Sequence, residues 1–192
     1  MTEVTTGGPA LRLALVVGEV QDQPADALLV PVDGALCRLG GAAAAALRAA
    51  LPDDERADEL DYVADALARL RPLRDGDARV IDGVARWSSL VVSAAYPHSK
   101  DGQVVTPDAC ATMLRAAMPA AVTAAAAAGA ASLAMTAIGT AYRMPGELAV
   151  RAQLDGLAAA RATAVQVTWA FRDAALHAAA VIGARRLGLA TV

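Results

Sequence analysis

The sequence predicts an α/β fold: a three-layer α/β/α sandwich with a mixed, largely parallel central sheet of about six strands. Short apolar segments typical of buried strands alternate along the chain with longer segments of helical periodicity. Several strand segments are apolar throughout, as expected where helices cover both faces of a sheet. The 192 residues are enough to bury one substantial core.

Strand patterns are present in both halves of the chain. They cover 11–17, 27–32, 78–82, 90–94, 132–138 and 164–170. Pro31 stands near the end of the second segment, where we expect the strand to close. Residues 1–10 lack the basic start and apolar core of a signal peptide, and we expect a flexible N-terminus followed by a single domain over 11–192.

Helical periodicity fills the intervals between the strands. The predicted helices cover 42–51, 53–71, a long segment from 107, 145–160 and 174–186. Gly40 and Gly41 precede the first helix, Thr106 and a proline open the third, and Asp173 caps the last. The connections between segments are short, and no linker divides the pattern.

One charge-free stretch, residues 116–142, is long enough to cross a bilayer. It is mostly alanine, contains Pro119 and Gly129, and changes to a strand pattern at Ser132. We therefore interpret it as a buried helix followed by a buried strand rather than as a membrane span.

Charge and cysteine usage exclude several classes of function. The formal net charge is −3 and no cluster of lysine or arginine is present, so binding of nucleic acid through a basic patch is not expected. Cys37 and Cys110 are far apart, and the chain has two histidines, which supports neither zinc nor a disulfide framework. We expect a soluble, cytoplasmic protein of bacterial type without metal, cofactor or membrane partner.

Ligands of α/β sheets bind beyond the carboxyl ends of the strands, and three loops there have an unusual composition. The loop 33–41 ends in a glycine pair at a helix start, which can offer backbone N–H groups to an anion. The loop 139–145 begins with small residues, and Phe171 leads the third loop. Such loops can hold a pyrophosphate and a base, although a glycine pair before a helix can also serve packing or capping.

These segments, in this order, resemble the macro domain, an ADP-ribose-binding α/β/α module. The resemblance covers about residues 11–187 and depends on order and spacing more than on identities. The matching segments are the turn 18–20, the strand start 26–29, the glycine-rich loop 39–42, the loop 136–145 and the final strand 167–173.

The resemblance implies a binding role for each matching residue. Glu19, with Val20 in the same turn, would accept the adenine amino group, and Phe171 would flank the adenine. Gly40, Gly41 and Ala42 would lie against the distal ribose and the diphosphate. The backbone N–H groups of the second loop would cradle the phosphates; its residues are Gly139, Thr140, Ala141 and Tyr142. Arg143, which follows, would clamp a phosphate or plug the cleft.

The sequence departs from the family where the family has asparagine. Asp33 stands at the place of the distal-ribose asparagine, and Val30 replaces the other one. We expect a binding module for ADP-ribose or a related nucleotide diphosphate, free or on an ADP-ribosylated substrate. An ADP-ribosyl hydrolase with Asp33 as general base is one alternative, although loop aspartates often only form turns. The other is a degenerate domain for structural or protein assembly, its cleft filled by Arg143 and Met144, as a homo-oligomer or with a protein partner.

Other chemistry has simpler explanations. His98, beside a serine and a lysine, suggests acid–base work but also fits a solvated loop. Cys37 is a candidate reactive thiol or a small buried residue. A Rossmann dehydrogenase would need a GxGxxG turn, which the sequence lacks.

Overall fold

The computed structural model describes residues 11–96, 105–139, 144–160 and 164–191. The predicted flexible N-terminus, 1–10, and the candidate His98 lie outside these ranges. The described strands are β1 (Arg12–Val17), β2 (Ala27–Asp33), β3 (Ala78–Asp82), β4 (Ser89–Tyr96), β5 (Ser132–Thr136), β6 (Gln166–Phe171) and β7 (Ala190–Thr191).

All seven strands join one sheet in the order β3-β4-β2-β5-β6-β1-β7. Every neighbouring pair is parallel except β3 and β4, which pair antiparallel from Ala78 opposite Ser93 to Asp82 opposite Ser89. The predicted mixed, largely parallel sheet is confirmed, and the two-residue β7 adds a strand to the six predicted. Because they run in parallel, β1, β2, β5 and β6 have their carboxyl ends at the same edge of the sheet.

Helices cover both faces of this sheet, as the three-layer prediction requires. They are α1 (Gly41–Ala50), α2 (Arg56–Leu70), α3 (Pro107–Ala127), α4 (Gly146–Ala159) and α5 (Ala174–Arg186). Successive side chains of a strand point to opposite faces, and Leu28 packs in the core with Leu47 of α1, whereas Leu29 packs with Leu114 of α3. The sheet therefore separates two cores, one under α1 and α2 and the other under α3, α4 and α5.

Helix α3 contains the first part of the charge-free stretch. It is the one helix in the described ranges that is long and apolar enough to cross a membrane, with a mean hydropathy of 1.3 over 18 residues that are half buried. One side of α3 packs on α4, where a Cβ added to Gly156 would lie 2.8 Å from the Arg115 carbonyl oxygen. Its buried residues, such as Met118, belong to the second core. These contacts are those of a core helix.

Strand β2 leaves β5 soon after the two strands begin. In the described residues, β2 pairs with β5 at Ala27 and Leu28, and its pairing beyond Leu28 is with β4. The strand closes soon after Pro31, as expected, although it continues to Asp33, one residue beyond its predicted end. Proline is tolerated because it lies where one side of β2 is unpaired and an N–H is not needed. The divergence opens a gap at the carboxyl edge.

Asp26 links neighbouring strands at the end of the sheet opposite the gap, where these strands begin. Its Oδ2 accepts hydrogen bonds from the N–H groups of Ala131 (2.8 Å) and Ser132 (3.0 Å) and from the Ser132 hydroxyl (3.0 Å). Its carbonyl oxygen accepts from the N–H of Ser88 at 2.8 Å. Asp26 thus links the starts of β2, β4 and β5 on the side away from the gap.

Candidate functional site

A cavity of about 230 Å³ lies at the carboxyl edge of the sheet. Four separate segments line it: the turn after β1 (18–20), the start of α1 at Ala42, the end of β5 (136–137) and the junction of β6 with α5 (170–173 and Leu176). The structure thus brings together four residues predicted from the sequence, namely Glu19, Val20, Ala42 and Phe171.

An ion pair stands at the wall of this cavity. Arg172 Nε and Nη2 both donate to Glu19 Oε2, at 2.8 and 2.6 Å. The side chains are 37% (Glu19) and 63% (Arg172) exposed, so solvent reaches both partners. Arg172 was not among the predicted site residues, because nothing in the sequence signals a partner 153 residues away.

Phe171 forms a rigid part of the wall. Its ring lies 4.7 Å from the Trp169 ring and meets the His177 ring edge-on at 5.8 Å, measured between centroids. Its carbonyl oxygen accepts from the N–H of Gly18 at 2.9 Å, which fixes the turn that carries Glu19. Only 1% of Phe171 is exposed, so it serves the cavity as a fixed surface.

The start of α1 is uncapped. Gly40, at the N-cap, has no side chain to accept a hydrogen bond, and the first turn has no acidic residue. By contrast, Thr106 caps α3, and Asp173 caps α5 as predicted, with Oδ1 accepting from the N–H of Ala175 at 2.7 Å. A Cβ on Gly40 or Gly41 would meet nothing within 4 Å in the described part of the chain, so packing does not explain the pair. Gly41 has a φ of +62°, a left-handed conformation that favours glycine, whereas the φ of Gly40 suits any residue. The open space at the pair leaves backbone N–H groups of the helix start accessible to an anion.

Asp33 ends β2 and forms a turn. Its Oδ1 accepts from the N–H of Leu36 at 2.7 Å, and its carbonyl oxygen accepts from the N–H of Cys37 at 2.9 Å. It is not among the residues that line the cavity of Glu19 and Phe171. The structure gives Asp33 a local structural role, and its role as a general base stays a prediction.

Gly139 is required by backbone conformation and by packing. Its φ is +99°, and a Cβ there would overlap the Met144 methyl group and lie 3.3 Å from Leu114 Cδ1. Met144 is buried in the core under α3 and α4 and does not line the cavity. The remaining predicted residues of this loop lie outside the described residues: Thr140, Ala141, Tyr142 and Arg143.

Sequence reasoning missed the residue that holds the start of this loop. Gln153 of α4 is fully buried, and its Oε1 accepts from the Ile138 N–H while its Nε2 donates to the Ile138 carbonyl oxygen, both at 3.1 Å. Strand β5 ends at Thr136, two residues before its predicted end, and Gln153 takes over the backbone groups that leave the sheet. A glutamine on the apolar side of a helix, beside Val150, was the available signal.

Cys37 follows the turn of Asp33 but is poorly suited to nucleophilic chemistry. It is buried, and its thiol donates to the Gly34 carbonyl oxygen at 3.5 Å. Burial raises the pKa of the Cys37 thiol, outweighing a hydrogen bond from the Leu73 backbone that lowers it. The protonated thiol is therefore the form present near neutral pH.

In the described ranges no group of three or more His, Cys, Asp or Glu side chains is arranged to hold a metal ion.

A second, wider depression of about 700 Å³ lies between α4 and α5. Leu154 and Ile182 contribute apolar surface, and Arg151, Asp155 and Arg186 contribute charge. It lies in the helical layer, away from the strand ends, and none of the predicted site residues that the structure describes lines it.

No protein-family model and no curated protein matches the chain. Solved structures do match. A mutant of the Oceanobacillus iheyensis macrodomain is 16% identical, with a TM-score of 0.68 over 97% of this chain and 96% of its own. Another mutant of that macrodomain, with ADPR, is 15% identical, with a TM-score of 0.67 over 97% of both chains. The Trypanosoma brucei macrodomain in complex with ADP-ribose is 19% identical, with a TM-score of 0.62 over 88% of this chain and 67% of its own. The chain has the macrodomain fold, as the resemblance implied.

Proposed function

We propose that this protein binds ADP-ribose or a related nucleotide diphosphate at the carboxyl edge of its sheet. The observation that carries the proposal is the cavity itself, which unites Glu19, Val20, Ala42 and Phe171 from three of the four segments that line it. Structures of this fold in complex with ADP-ribose support the choice of ligand.

The cavity suits the base of such a ligand. Its 230 Å³ is below the roughly 300–1,000 Å³ of pockets that enclose a drug-sized molecule, so it accepts one end of the ligand. Val20, Phe171 and Leu176 supply apolar contacts for a planar ring, and Glu19 supplies a hydrogen-bond acceptor. The ribose and diphosphate then extend past Ala42 toward the start of α1.

The start of α1 suits the diphosphate. Its first N–H groups and the positive end of the helix dipole attract an anion, and within the described residues neither a capping side chain nor an acidic residue of the first turn competes. Gly40 and Gly41 leave the approach open. Backbone donors explain how a chain of net charge −3 without a basic cluster can hold a diphosphate. Gly139, Thr140, Ala141, Tyr142 and Arg143 are the second part of the proposed phosphate site.

The position of Asp33 supports binding over hydrolysis, because its side chain holds the turn after β2 and does not line the cavity. One of its carboxylate oxygens already accepts the Leu36 N–H, which commits it to the turn. A general base must reach the proton that it removes. Hydrolysis with Asp33 therefore remains the alternative, to be tested by turnover of an ADP-ribosylated substrate once binding has been measured.

Calorimetric titration with ADP-ribose tests the proposal, and Gly40 offers a matched pair of variants. Its φ of −160° suits any residue, and its Cβ position is open. Gly40→Asp would cap α1 and place a negative charge at the phosphate site, whereas Gly40→Ala adds only a methyl group. We expect saturable binding by the parent, near-parent affinity in Gly40→Ala and a loss of about tenfold or more in Gly40→Asp.

Stability separates this effect from misfolding. Because aspartate is a favourable N-cap, Gly40→Asp should fold at least as stably as the parent while it loses ligand. If Gly40→Asp bound ADP-ribose as tightly as Gly40→Ala, the phosphates would not lie at the start of α1. Absence of heat with the parent at millimolar ADP-ribose would reject the proposed ligand.

A further inference from the structure

We propose that Arg172 sets the base specificity of the cavity by holding Glu19 as a fixed hydrogen-bond acceptor. This inference rests on the proposed function, because it concerns the base end of the same ligand. It assigns a positioning role to Arg172, which acts on the ligand through Glu19.

The ion pair engages one side of the Glu19 carboxylate. Both Arg172 donors converge on one oxygen, Glu19 Oε2, instead of sharing the two oxygens of the carboxylate. No hydrogen bond engages Glu19 Oε1 within the described residues. Since both side chains line the cavity, the pair leaves one carboxylate oxygen available to a ligand there.

The backbone is held in place on both sides of the ion pair. Val17 and Phe171 are register partners of the adjacent strands β1 and β6. The Glu19 carbonyl oxygen also accepts from Gln23 Nε2 at 3.1 Å, which closes the turn behind the carboxylate. Two residues far apart in sequence are thus held next to each other before any ligand arrives.

The available oxygen of Glu19 determines which base the cavity prefers. A carboxylate can only accept, so it pairs with a base that presents an amino group and repels one that presents a carbonyl oxygen at the same place. Adenine carries a 6-amino group, and hypoxanthine differs from it by a 6-oxo group. The cavity should therefore prefer the adenine nucleotide by about tenfold or more, because a polar mismatch in a site leaves groups unpaired.

Arg172 restricts the Glu19 side chain and offsets its charge. A glutamate that is 37% exposed can adopt several rotamers in solvent, and two donors on one oxygen restrict it to one. The guanidinium also offsets the negative charge that would otherwise oppose an approaching diphosphate. Loss of Arg172 should therefore weaken discrimination between bases as well as affinity.

Calorimetric titrations with ADP-ribose and with its inosine analogue measure the ratio of the two affinities. We expect the parent to prefer ADP-ribose by about tenfold or more. Glu19→Gln should bring the ratio close to one, because an amide can donate as well as accept. Arg172→Met keeps the aliphatic stem and should reduce the ratio severalfold, while Arg172→Lys, which retains the charge, should recover part of it.

Arg185→Met is the matched control, since Arg185 is an exposed arginine near the end of α5 and does not line the cavity; its ratio should equal that of the parent. Equal affinity of the parent for both nucleotides would overturn this inference and leave ADP-ribose binding intact. An unchanged ratio in Arg172→Met would overturn the role of Arg172. Binding of neither nucleotide would reject both the inference and the proposed function.

Discussion

Gln153 binds the backbone of Ile138 as a neighbouring strand would: its amide oxygen accepts the Ile138 N–H and its amide nitrogen donates to the Ile138 carbonyl oxygen. The same nitrogen donates to the Ala149 carbonyl oxygen at 2.9 Å. A side chain of α4 thus satisfies the main chain where β5 has ended, just before the loop proposed to cradle phosphate.

Replacing this amide should be costly. Gln153→Leu keeps a comparable volume but leaves the buried N–H and carbonyl group of Ile138 unpaired, and each such group costs about 1–3 kcal/mol. We expect the free energy of unfolding, measured with urea, to fall by about 2–4 kcal/mol. Gln23→Leu, which removes one partly buried hydrogen bond to Glu19, should cost about 1 kcal/mol or less. Similar losses in the two variants would contradict the anchoring role of Gln153.

Gly139 and Met144 should be energetically coupled. Gly139→Ala places a Cβ against the Met144 methyl group and forces alanine to a φ of +99°. We expect a loss of about 2–3 kcal/mol in the parent but of about 1–2 kcal/mol in a Met144→Ala background, where the backbone strain and the 3.3 Å approach to Leu114 Cδ1 remain. A double-mutant cycle of urea unfolding measures the difference, and additive effects would show that the two side chains do not collide.

Between α3 and α4, the close packing at Gly156 should contribute more to the free energy of unfolding than the ion pair of Arg115 with Asp155. Gly156→Ala puts a Cβ 2.8 Å from the Arg115 carbonyl oxygen and from Met118 Cβ. The overpacking, about 1–3 kcal/mol, should exceed the gain of up to about 1 kcal/mol in helix propensity, so the variant should be less stable.

The control on the same helix pair is Arg115→Met, which removes the ion pair with Asp155. That pair spans 3.3 Å between partly exposed side chains, and its loss should change the free energy of unfolding by at most about 1 kcal/mol. A stabilised Gly156→Ala protein would mean that propensity outweighs packing here.

Alkaline pH should destabilise the protein through its cysteines. Burial raises the pKa of both the Cys37 and Cys110 thiols above the ordinary value of 9.0 in the folded protein. The unfolded chain then loses these protons at lower pH than the folded protein does. The resulting stabilisation is complete below 9.0 and disappears as the pH rises through the folded-state pKa values.

Urea unfolding between about pH 8 and pH 10.5 should therefore show a steeper decline in the parent than in a Cys37→Ala, Cys110→Ala protein. Other titrating groups, such as tyrosine and lysine, are common to the two proteins and cancel in the comparison. Parallel pH profiles would show that burial does not perturb the thiols.

Much of the fold follows from local patterns. Apolar runs predicted β2 and β4, helical spacing predicted all five helices, and Asp173 marked the start of α5 through its capping chemistry. The two-residue β7 is too short to leave a period in the sequence. The continuation of β2 past Pro31 is possible because the pairing of β2 with β5 ends at Leu28. Local propensities do not predict where two strands separate.

The site residues that could be predicted from the sequence are those at the end of a strand or in the segment that follows it. Glu19, Ala42 and Phe171 meet because segments that follow parallel strands meet at one edge of the sheet. Arg172 and Gln153 were not predictable, since the partner of each is chosen by tertiary packing.

The brief pairing of β2 with β5 has a mechanical consequence. Two register pairs join the block β3-β4-β2 to the block β5-β6-β1-β7 along this line, whereas β1 and β6 share six. Among the strand pairs in the interior of the sheet, β2 and β5 share the fewest register partners, and we expect the sheet to bend most readily there, with the Asp26 hydrogen bonds as the pivot. A small rotation about that pivot changes the width of the gap most at the far end, where Asp33 and the start of α1 lie.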